Sequence, residues 1–325
     1  MPATPPETPP RFRLTPGILF GIVALCAVVG AVLRFGEAEE FVRVAAEAQP
    51  AWLLVAVGLQ AATYTAEAGA WGFVLSAAGV PQSHRFLYAL SLVELFTNQA
   101  MPTAGIAGML VVVRILERRG VSPPTSMSAM LVDLIGYYVA FGVALASTIV
   151  YLGVQRELPG WVLALAGGMW LVGLGISGGI FWLSTPGRVL PPRVRASPSL
   201  AALASADPSL VRNFRLIALA SLLRLGNFAF DALTLWTCLR AVGQTPTVGQ
   251  ASSAFLIGVL ARTLGFVPGG LGTFEAGTLG GLALFGVSVE PGLAAVLLFR
   301  GLSFWLPLLP GFWLGRRMTR GSAGP

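Results

Sequence analysis

Apolar residues occur in this chain as long, almost uninterrupted runs. A helix needs about 20 such residues to cross the roughly 30 Å hydrocarbon core of a membrane. The pattern therefore predicts an all-α polytopic membrane protein. Six runs are long enough for a crossing: 17–35, 51–79, 125–152, 160–184, 212–240 and 291–315.

Two further regions each contain a pair of apolar segments. Each segment is too short to span the hydrocarbon core without strain. The first pair is 85–100 and 105–118, joined by Met101-Pro102-Thr103-Ala104-Gly105, and the second is 250–267 and 273–286, joined by Pro268-Gly269-Gly270-Leu271-Gly272. Proline and glycine interrupt helices. Irregular backbone is not tolerated against lipid, so these breaks must be buried in protein or line a cavity. We predict two re-entrant helical hairpins, with ordinary short, tilted spans as the alternative.

The two halves of the chain resemble each other, which indicates an internal repeat. The clearest match is between two triplets of residues, and each triplet has the spacing i, i+3, i+7, which places it on one helix face. Gln60, Thr63 and Glu67 match Arg224, Asn227 and Asp231; Pro102 matches Pro268; Asn98 matches Arg262; and Gly120-Val121-Ser122 recurs as Gly286-Val287-Ser288.

We therefore predict two membrane repeats, each with three transmembrane helices and one re-entrant hairpin. Three crossings per repeat invert the second relative to the first, an architecture in which transporters place the binding site between broken helices. The predicted units are a disordered tail at 1–16, the repeats at 17–157 and 158–317, and a second tail at 318–325.

Composition supports a membrane protein and excludes several other classes. Apolar residues make up 55% and charged residues 11% of the chain, against about 25% charged residues in a globular domain. This excludes a soluble enzyme, a nucleic-acid-binding domain and a disordered chain. The net charge is +7, and every arginine or lysine position in the chain is an arginine. Because positive loops face the cytoplasm, we expect both termini there, in a bacterial cytoplasmic membrane.

The residues of common catalytic sites are scarce. His84 is the only histidine, and Cys26 and Cys238 are the only cysteines, so a metal site built from such ligands is not expected. The glycine-rich segment 268–272 lacks the Lys-Ser/Thr ending of a nucleotide-binding loop. We expect no metal, no cofactor, no nucleic-acid partner and no enzymatic activity.

Several polar and ionisable residues fall inside the apolar runs, where they are costly and usually functional. They predict a polar cavity between the helices. A purely structural role, as buried pairs that hold helices together, remains the alternative. The predicted cavity residues are Glu67, Glu94, Asn98, Asp133, Arg224, Asn227 and Asp231.

The second broken pair is the best candidate for binding an anionic lipid headgroup. A half-helix that begins after Gly272 presents free N–H groups and the positive end of its dipole. Glycines let the backbone approach a ligand closely, and arginines add charge-assisted hydrogen bonds to phosphate. The predicted headgroup-binding residues are Arg262, Gly269, Gly270, Gly272, Thr273, Glu275 and Arg300.

The same stretch resembles the transmembrane, flippase-like part of the lysylphosphatidylglycerol synthase family. The resemblance covers about residues 17–317 and rests on Arg262 through Glu275, Arg300 and Phe304-Trp305-Leu306-Pro307, with Asn98, Pro102, Gly105, Gly108 and Arg114 in the first half. It implies a bacterial membrane protein that moves lipids or aminoacylated lipids between leaflets. The chain ends at Pro325 without the soluble aminoacyl-transfer domain of the full-length synthases. If the cargo is an aminoacylated lipid, a separate lipid-modifying enzyme is expected as a partner.

The leading hypothesis is therefore a lipid flippase that moves an anionic or aminoacylated phospholipid between leaflets. One alternative is a carrier for an isoprenoid-phosphate or glycolipid intermediate of envelope assembly, which the same anion site would serve. A third is an integral-membrane transferase whose intramembrane carboxylates perform acid–base chemistry. The expected partner in the leading case is a membrane phospholipid or another anionic lipid.

Overall fold

The computed structural model describes residues 43–44, 46–100, 106–155, 160–185, 198–264 and 268–320, and within them it contains helices and no strand. The predicted tail 1–16, the predicted first crossing 17–35 and the break at 101–105 lie outside the described residues. The helices are α1 (Pro50–Ala77), α2 (His84–Ala100), α3 (Ile106–Glu117), α4 (Pro123–Gln155), α5 (Gly160–Leu183), α6 (Pro198–Ala204), α7 (Pro208–Val211), α8 (Phe214–Ala241), α9 (Val248–Leu264), α10 (Thr273–Ala283), α11 (Val289–Arg300) and α12 (Leu306–Arg320).

Four of the described helical stretches are long and apolar enough to cross a membrane, and they coincide with four of the predicted runs. They are Pro123–Gln155, Val162–Leu183, Phe214–Ala241 and Val289–Met318. The predicted run 51–79 forms α1, which has 28 residues. This helix is not one of the four, and it carries Gln60 and Glu67. The coarse prediction of an all-α polytopic membrane protein is confirmed.

Helices α1 and α8 lie antiparallel against each other in the centre of the bundle. The N–H of Gln49 donates to the carbonyl of Ala241 at 2.9 Å, which places the beginning of α1 beside the end of α8. Further along, Gln60 contacts Asp231 and Glu67 contacts Arg224. Helix α8 also packs against α4. The polar faces of α1 and α8 therefore meet inside the protein rather than facing lipid.

Helices α9 and α10 form a tightly packed antiparallel pair. Gly258 on α9 lies against Phe274 and Thr278 on α10, and Gly281 on α10 lies against Ala254 on α9. Small residues at these positions let the two backbones approach closely, as is common between membrane helices. The connection between the pair includes a 3-10 turn at Pro268–Gly270.

Helices α2 and α3 also lie beside each other. The side-chain oxygen of Asn98 accepts a hydrogen bond from the N–H of Gly108 at 3.0 Å, which joins the end of α2 to the beginning of α3. At the other end, the guanidinium of Arg119 lies 3.8 Å from the centroid of the Phe86 ring. The beginning of α2 and the end of α3 are therefore neighbours.

The last apolar run is interrupted by a π-helical segment. Residues Gly301–Trp305 adopt this wider helix between α11 and α12, and Pro310 lies within α12. Segments of this kind occur often at functional sites because they disturb the regular hydrogen bonding of the helix. Helix α12 continues along α2, where the rings of Phe96 and Phe312 lie 5.5 Å apart.

Packing of α4 against α8 yields a testable difference between two glycines of the same helix. A methyl group at Gly136 would lie 2.9 Å from the carbonyl carbon of Ala220, whereas one at Gly142 would lie 3.7 Å from the Trp170 ring. We expect Gly136→Ala to destabilise the protein by about 1–3 kcal/mol because the helices must separate. Gly142→Ala should be neutral or slightly stabilising, since alanine favours helix by up to about 1 kcal/mol. Unfolding in detergent measures both, and equal stabilities would contradict the close contact.

Candidate functional site

Four ionisable side chains from four helices form what we call the Arg224 cluster: Glu67 on α1, Glu94 on α2, Asp133 on α4 and Arg224 on α8. The guanidinium Nε of Arg224 donates to Asp133 at 2.7 Å, and Nη2 donates to Glu67 at 3.1 Å and to the second oxygen of Asp133. The Glu94 carboxyl contacts that of Glu67. Arg224 thus uses Nε and Nη2 on protein carboxylates.

This geometry favours the structural alternative for the Arg224 cluster. The side chains of Arg224, Glu67 and Asp133 are almost entirely buried. Paired and hydrogen-bonded charges of this kind hold helices together. Removing one partner by mutation leaves an uncompensated buried charge. An incoming phosphate would have to displace two carboxylates from Arg224, so this arginine is a poor candidate for headgroup binding.

Next along the contact between α1 and α8 is a second polar group centred on Asp231. Its Oδ1 accepts hydrogen bonds from Gln60 Nε2 and from Thr63 Oγ1, both at 3.2 Å. Asn227 lies between this group and the Arg224 cluster: with its amide oriented to suit its neighbours, it donates to the carbonyl of Thr63 at 3.2 Å and accepts from Arg224 at 3.3 Å. The two polar groups are therefore continuous across the helix contact.

The turn that precedes α10 depends on glycine. Gly269, Gly270 and Gly272 have φ angles of 65°, 66° and 78°, in the left-handed region that side chains with a Cβ rarely adopt. A methyl group at Gly269 would lie 2.5 Å from the Phe304 ring and 3.0 Å from the side-chain oxygen of Gln99, and one at Gly270 would overlap the side-chain stem of Arg262. The turn is thus close to α2, α9 and the π-helical segment.

Arg300 and Glu275 hold this turn in place. The Arg300 Nε lies 2.7 Å from a carboxylate oxygen of Glu275, and Nη2 donates to the carbonyl of Gly269 at 3.1 Å. The same guanidinium lies over the Phe304 ring at 4.1 Å and over the Phe274 ring at 5.4 Å. Only 4% of the Arg300 side chain is exposed. The guanidinium of Arg300 is thus bonded to Glu275 and to the turn itself.

Arg262 differs from the other two arginines. Its stem packs against Gly270, it is half-buried, and its charge acts on Asp231 without a direct hydrogen bond. Within the described residues, no hydrogen bond or ion pair engages its guanidinium. Of the arginines predicted to bind a headgroup, Arg262 is the one available to a ligand.

The beginning of α10 lies just beyond this arginine and is open. Gly272 caps the helix without any side-chain hydrogen bond and is exposed. Apart from its chain neighbours, no described residue has an atom within 4 Å of the position that a Cβ would take. Thr273, the first residue of α10, donates its hydroxyl hydrogen back to the Gly270 carbonyl at 3.0 Å. The first N–H groups of a helix have no intrahelical acceptors, and an anion stabilises them.

The predicted residues therefore fall into three groups: the Arg224 cluster, the Asp231 group with Asn227, and the turn with Arg262. Asn98 lies in none of them, because its side chain is used between α2 and α3. Sequence reasoning used Gln60 and Thr63 only as repeat matches and missed their contacts with Asp231. Their helical spacing with Glu67 was the signal that placed all three on one face.

Residues 18–311 match the family described as the lysylphosphatidylglycerol synthase TM region. The chain belongs to this family. A stretch of 109 residues is also 29% identical to a UPF0104 membrane protein of Methanothermobacter thermautotrophicus, covering 32% of this chain and 31% of that protein. The chain thus aligns with about a third of this relative. Family membership and the apolar helices establish a multi-pass membrane protein of a lipid-related family, and the resemblance seen in the sequence is confirmed.

Proposed function

We propose that this protein is a flippase that moves an anionic phospholipid between the leaflets of a bacterial cytoplasmic membrane. The observation that carries the proposal is that no described residue bonds the guanidinium of Arg262, whose stem packs against Gly270, two residues before the exposed N-cap of α10 at Gly272. A cation and free N–H groups at one opening form a site for phosphate. Phosphatidylglycerol and its aminoacylated derivatives both carry such a group.

We further propose that the two repeats are related by an approximate two-fold axis, as in inverted-repeat transporters. The matched triplets support this. If Gln60 corresponds to Arg224 and Glu67 to Asp231, a two-fold axis that produces the contact between Arg224 and Glu67 also produces a contact between Gln60 and Asp231. Both contacts occur.

In this proposal, α2 with α3 and α9 with α10 are re-entrant hairpins whose tips meet inside the membrane. The approach of Gly269 to Gln99, at the end of α2, supports this arrangement. The arginine-rich ends of the first hairpin and of α12 then lie on one side, which the positive-inside rule assigns to the cytoplasm together with both termini. A headgroup would enter at the opening beside Gly272 while its acyl chains stay in lipid.

The mechanism follows from the cost of moving a charged headgroup through hydrocarbon, where burying an unpaired charge is very expensive. Arg262 and the first N–H groups of α10 would replace the water around the phosphate and so lower this barrier. The Arg224 cluster and the pair of Arg300 with Glu275 would keep the surrounding helices fixed. The chain forms no covalent bond with the lipid in this scheme. We propose that a lipid or ion gradient drives transport.

Purified protein in liposomes tests the proposal. We expect a headgroup-labelled anionic phospholipid in the outer and inner leaflets to become fully accessible to a membrane-impermeant quencher, whereas protein-free liposomes stop near half quenching. Labelled zwitterionic phospholipid should move more slowly. A labelled isoprenoid phosphate in parallel tests the carrier alternative. Quenching that stops near half for every lipid, with and without an imposed sodium or proton gradient, would contradict the flippase proposal.

A further inference from the structure

The two reciprocal contacts between α1 and α8 differ in one respect. In the first, the carboxylate of Glu67 faces the guanidinium of Arg224 at 3.1 Å. In the second, the carboxylate of Asp231 faces the neutral amide of Gln60 at 3.2 Å. Glu67 thus has a permanent cation as its partner, whereas no cation among the described residues is bonded to Asp231.

One oxygen of Asp231 and one of Gln60 receive no hydrogen bond from the described residues. The Oδ1 of Asp231 accepts both hydrogen bonds described above, and no described residue donates to its Oδ2. Gln60 is 5% exposed, and its Oε1 is buried without a hydrogen-bond partner among the described residues. A buried acceptor left without a partner costs free energy. The same amide turns its Nε2 to Asp231, so this oxygen and the second oxygen of Asp231 are acceptors on neighbouring side chains that a cation would satisfy.

Other groups face the same position from the neighbouring elements. Thr63 adds a hydroxyl oxygen from α1. Tyr64, also on α1, donates its hydroxyl to the carbonyl of Ser303 at 3.5 Å, and Ser303 lies in the π-helical segment. The charges that act on Asp231 are those of Glu67 on α1 and Arg262 on α9. The acidic charge is thus only partly balanced by the protein.

We propose that Asp231, Gln60 and Thr63 form a binding site for one dehydrated sodium ion between α1 and α8. Carboxylate, amide and hydroxyl oxygens are the ligands of hard cations. A single carboxylate at the centre of otherwise neutral oxygens suits a monovalent ion better than a divalent one. Coupling ions of transporters bind at the interface between repeats, close to disturbed helices, as this site does.

The position of Arg262 suggests how the ion acts on the lipid site, a step that rests on the proposed function. Arg262 attracts both a phosphate at the beginning of α10 and, at longer range, the carboxylate of Asp231. A phosphate that neutralises Arg262 leaves Asp231 less compensated and strengthens sodium binding. Because binding free energies are reciprocal, sodium then strengthens phosphate binding by the same factor. A sodium gradient is the energy source that this linkage makes available.

The test measures binding of radioactive sodium to the purified protein in detergent without added lipid, with choline replacing sodium at constant ionic strength. We expect saturable binding of one ion per protein. Asp231→Asn and Gln60→Leu should abolish it. Thr63→Val should weaken it by about tenfold. Gel filtration and thermal unfolding identify any variant that fails to fold, and sodium should raise the unfolding temperature of the wild type but not of Asp231→Asn.

Thr65→Val is the matched control for Thr63→Val. Both hydroxyls donate to the carbonyl one helical turn earlier, Thr63 to Leu59 at 3.3 Å and Thr65 to Ala61 at 3.0 Å. Only Thr63 reaches Asp231, so Thr65→Val should bind sodium as the wild type does. No saturable sodium binding, equal binding by Asp231→Asn, or stabilisation that follows pH but not sodium would overturn the proposal. Since the assay contains no added lipid, its result stands whether or not the protein moves lipids.

Discussion

Arg262→Ala is expected to slow lipid movement in liposomes by about 10- to 100-fold while leaving the folded protein nearly as stable as the wild type. The loss corresponds to a charge-assisted hydrogen bond of about 1.5–3 kcal/mol, at 1.4 kcal/mol for each factor of ten. Stability should be preserved because no described residue depends on the guanidinium of Arg262 for a hydrogen bond or ion pair.

Two comparisons sharpen this prediction. Thr263→Ala, at the neighbouring exposed position of α9, should move lipid at the wild-type rate. Arg300→Ala should instead reduce folding, because Glu275 and the carbonyl of Gly269 lose their buried partner. Wild-type transport by Arg262→Ala, or a well-folded Arg300→Ala that lacks transport alone, would show that the phosphate site has been placed on the wrong arginine.

Arg224→Met is expected to destabilise the protein by about 3–5 kcal/mol, the cost of removing one partner from a buried ion pair. Glu67 and Asp133 would then face each other without a cation. Unfolding in detergent measures the loss. Arg215→Met removes an arginine from the exposed beginning of the same helix and should change the stability little.

The triple variant Arg224→Met, Glu67→Gln, Asp133→Asn separates the structural role of the Arg224 cluster from a direct role in transport. It removes the uncompensated charges, so it should recover a large part of the lost stability. If it folds and moves lipid, the cluster acts on the structure alone. If Arg224→Met is as stable as Arg215→Met, the cluster does not hold the helices together.

The sequence predicted the helices well because their signal is local. Long apolar runs mark helices of membrane proteins wherever they pack, and the four helical stretches apolar enough to cross coincide with predicted runs. The helix α1 was also predicted, although Gln60 and Glu67 interrupt its apolar pattern. The π-helical segment at Gly301–Trp305 was missed, because it interrupts an apolar run without changing its hydrophobic pattern.

The candidate site was predicted as a set of residues but not as separate groups. Helical spacing placed Glu67 and Arg224 on polar faces, yet it could not tell which acid each arginine contacts. Arg262 and Arg300 look equivalent in the sequence, since both are isolated arginines in apolar runs. Only packing distinguishes them: Arg300 lies against Glu275 and two aromatic rings, whereas the stem of Arg262 packs against Gly270 and no described residue bonds its guanidinium.

The measurement that tests this account most directly is retention of phospholipid by the protein in native mass spectrometry. Wild type and Arg262→Ala would be released from the same mixture of phosphatidylglycerol and a zwitterionic phospholipid. We predict that the wild type retains phosphatidylglycerol in preference to the zwitterionic lipid and that Arg262→Ala loses this preference. Equal retention of both lipids by the wild type, or an unchanged preference in Arg262→Ala, would contradict an anionic headgroup site at Arg262.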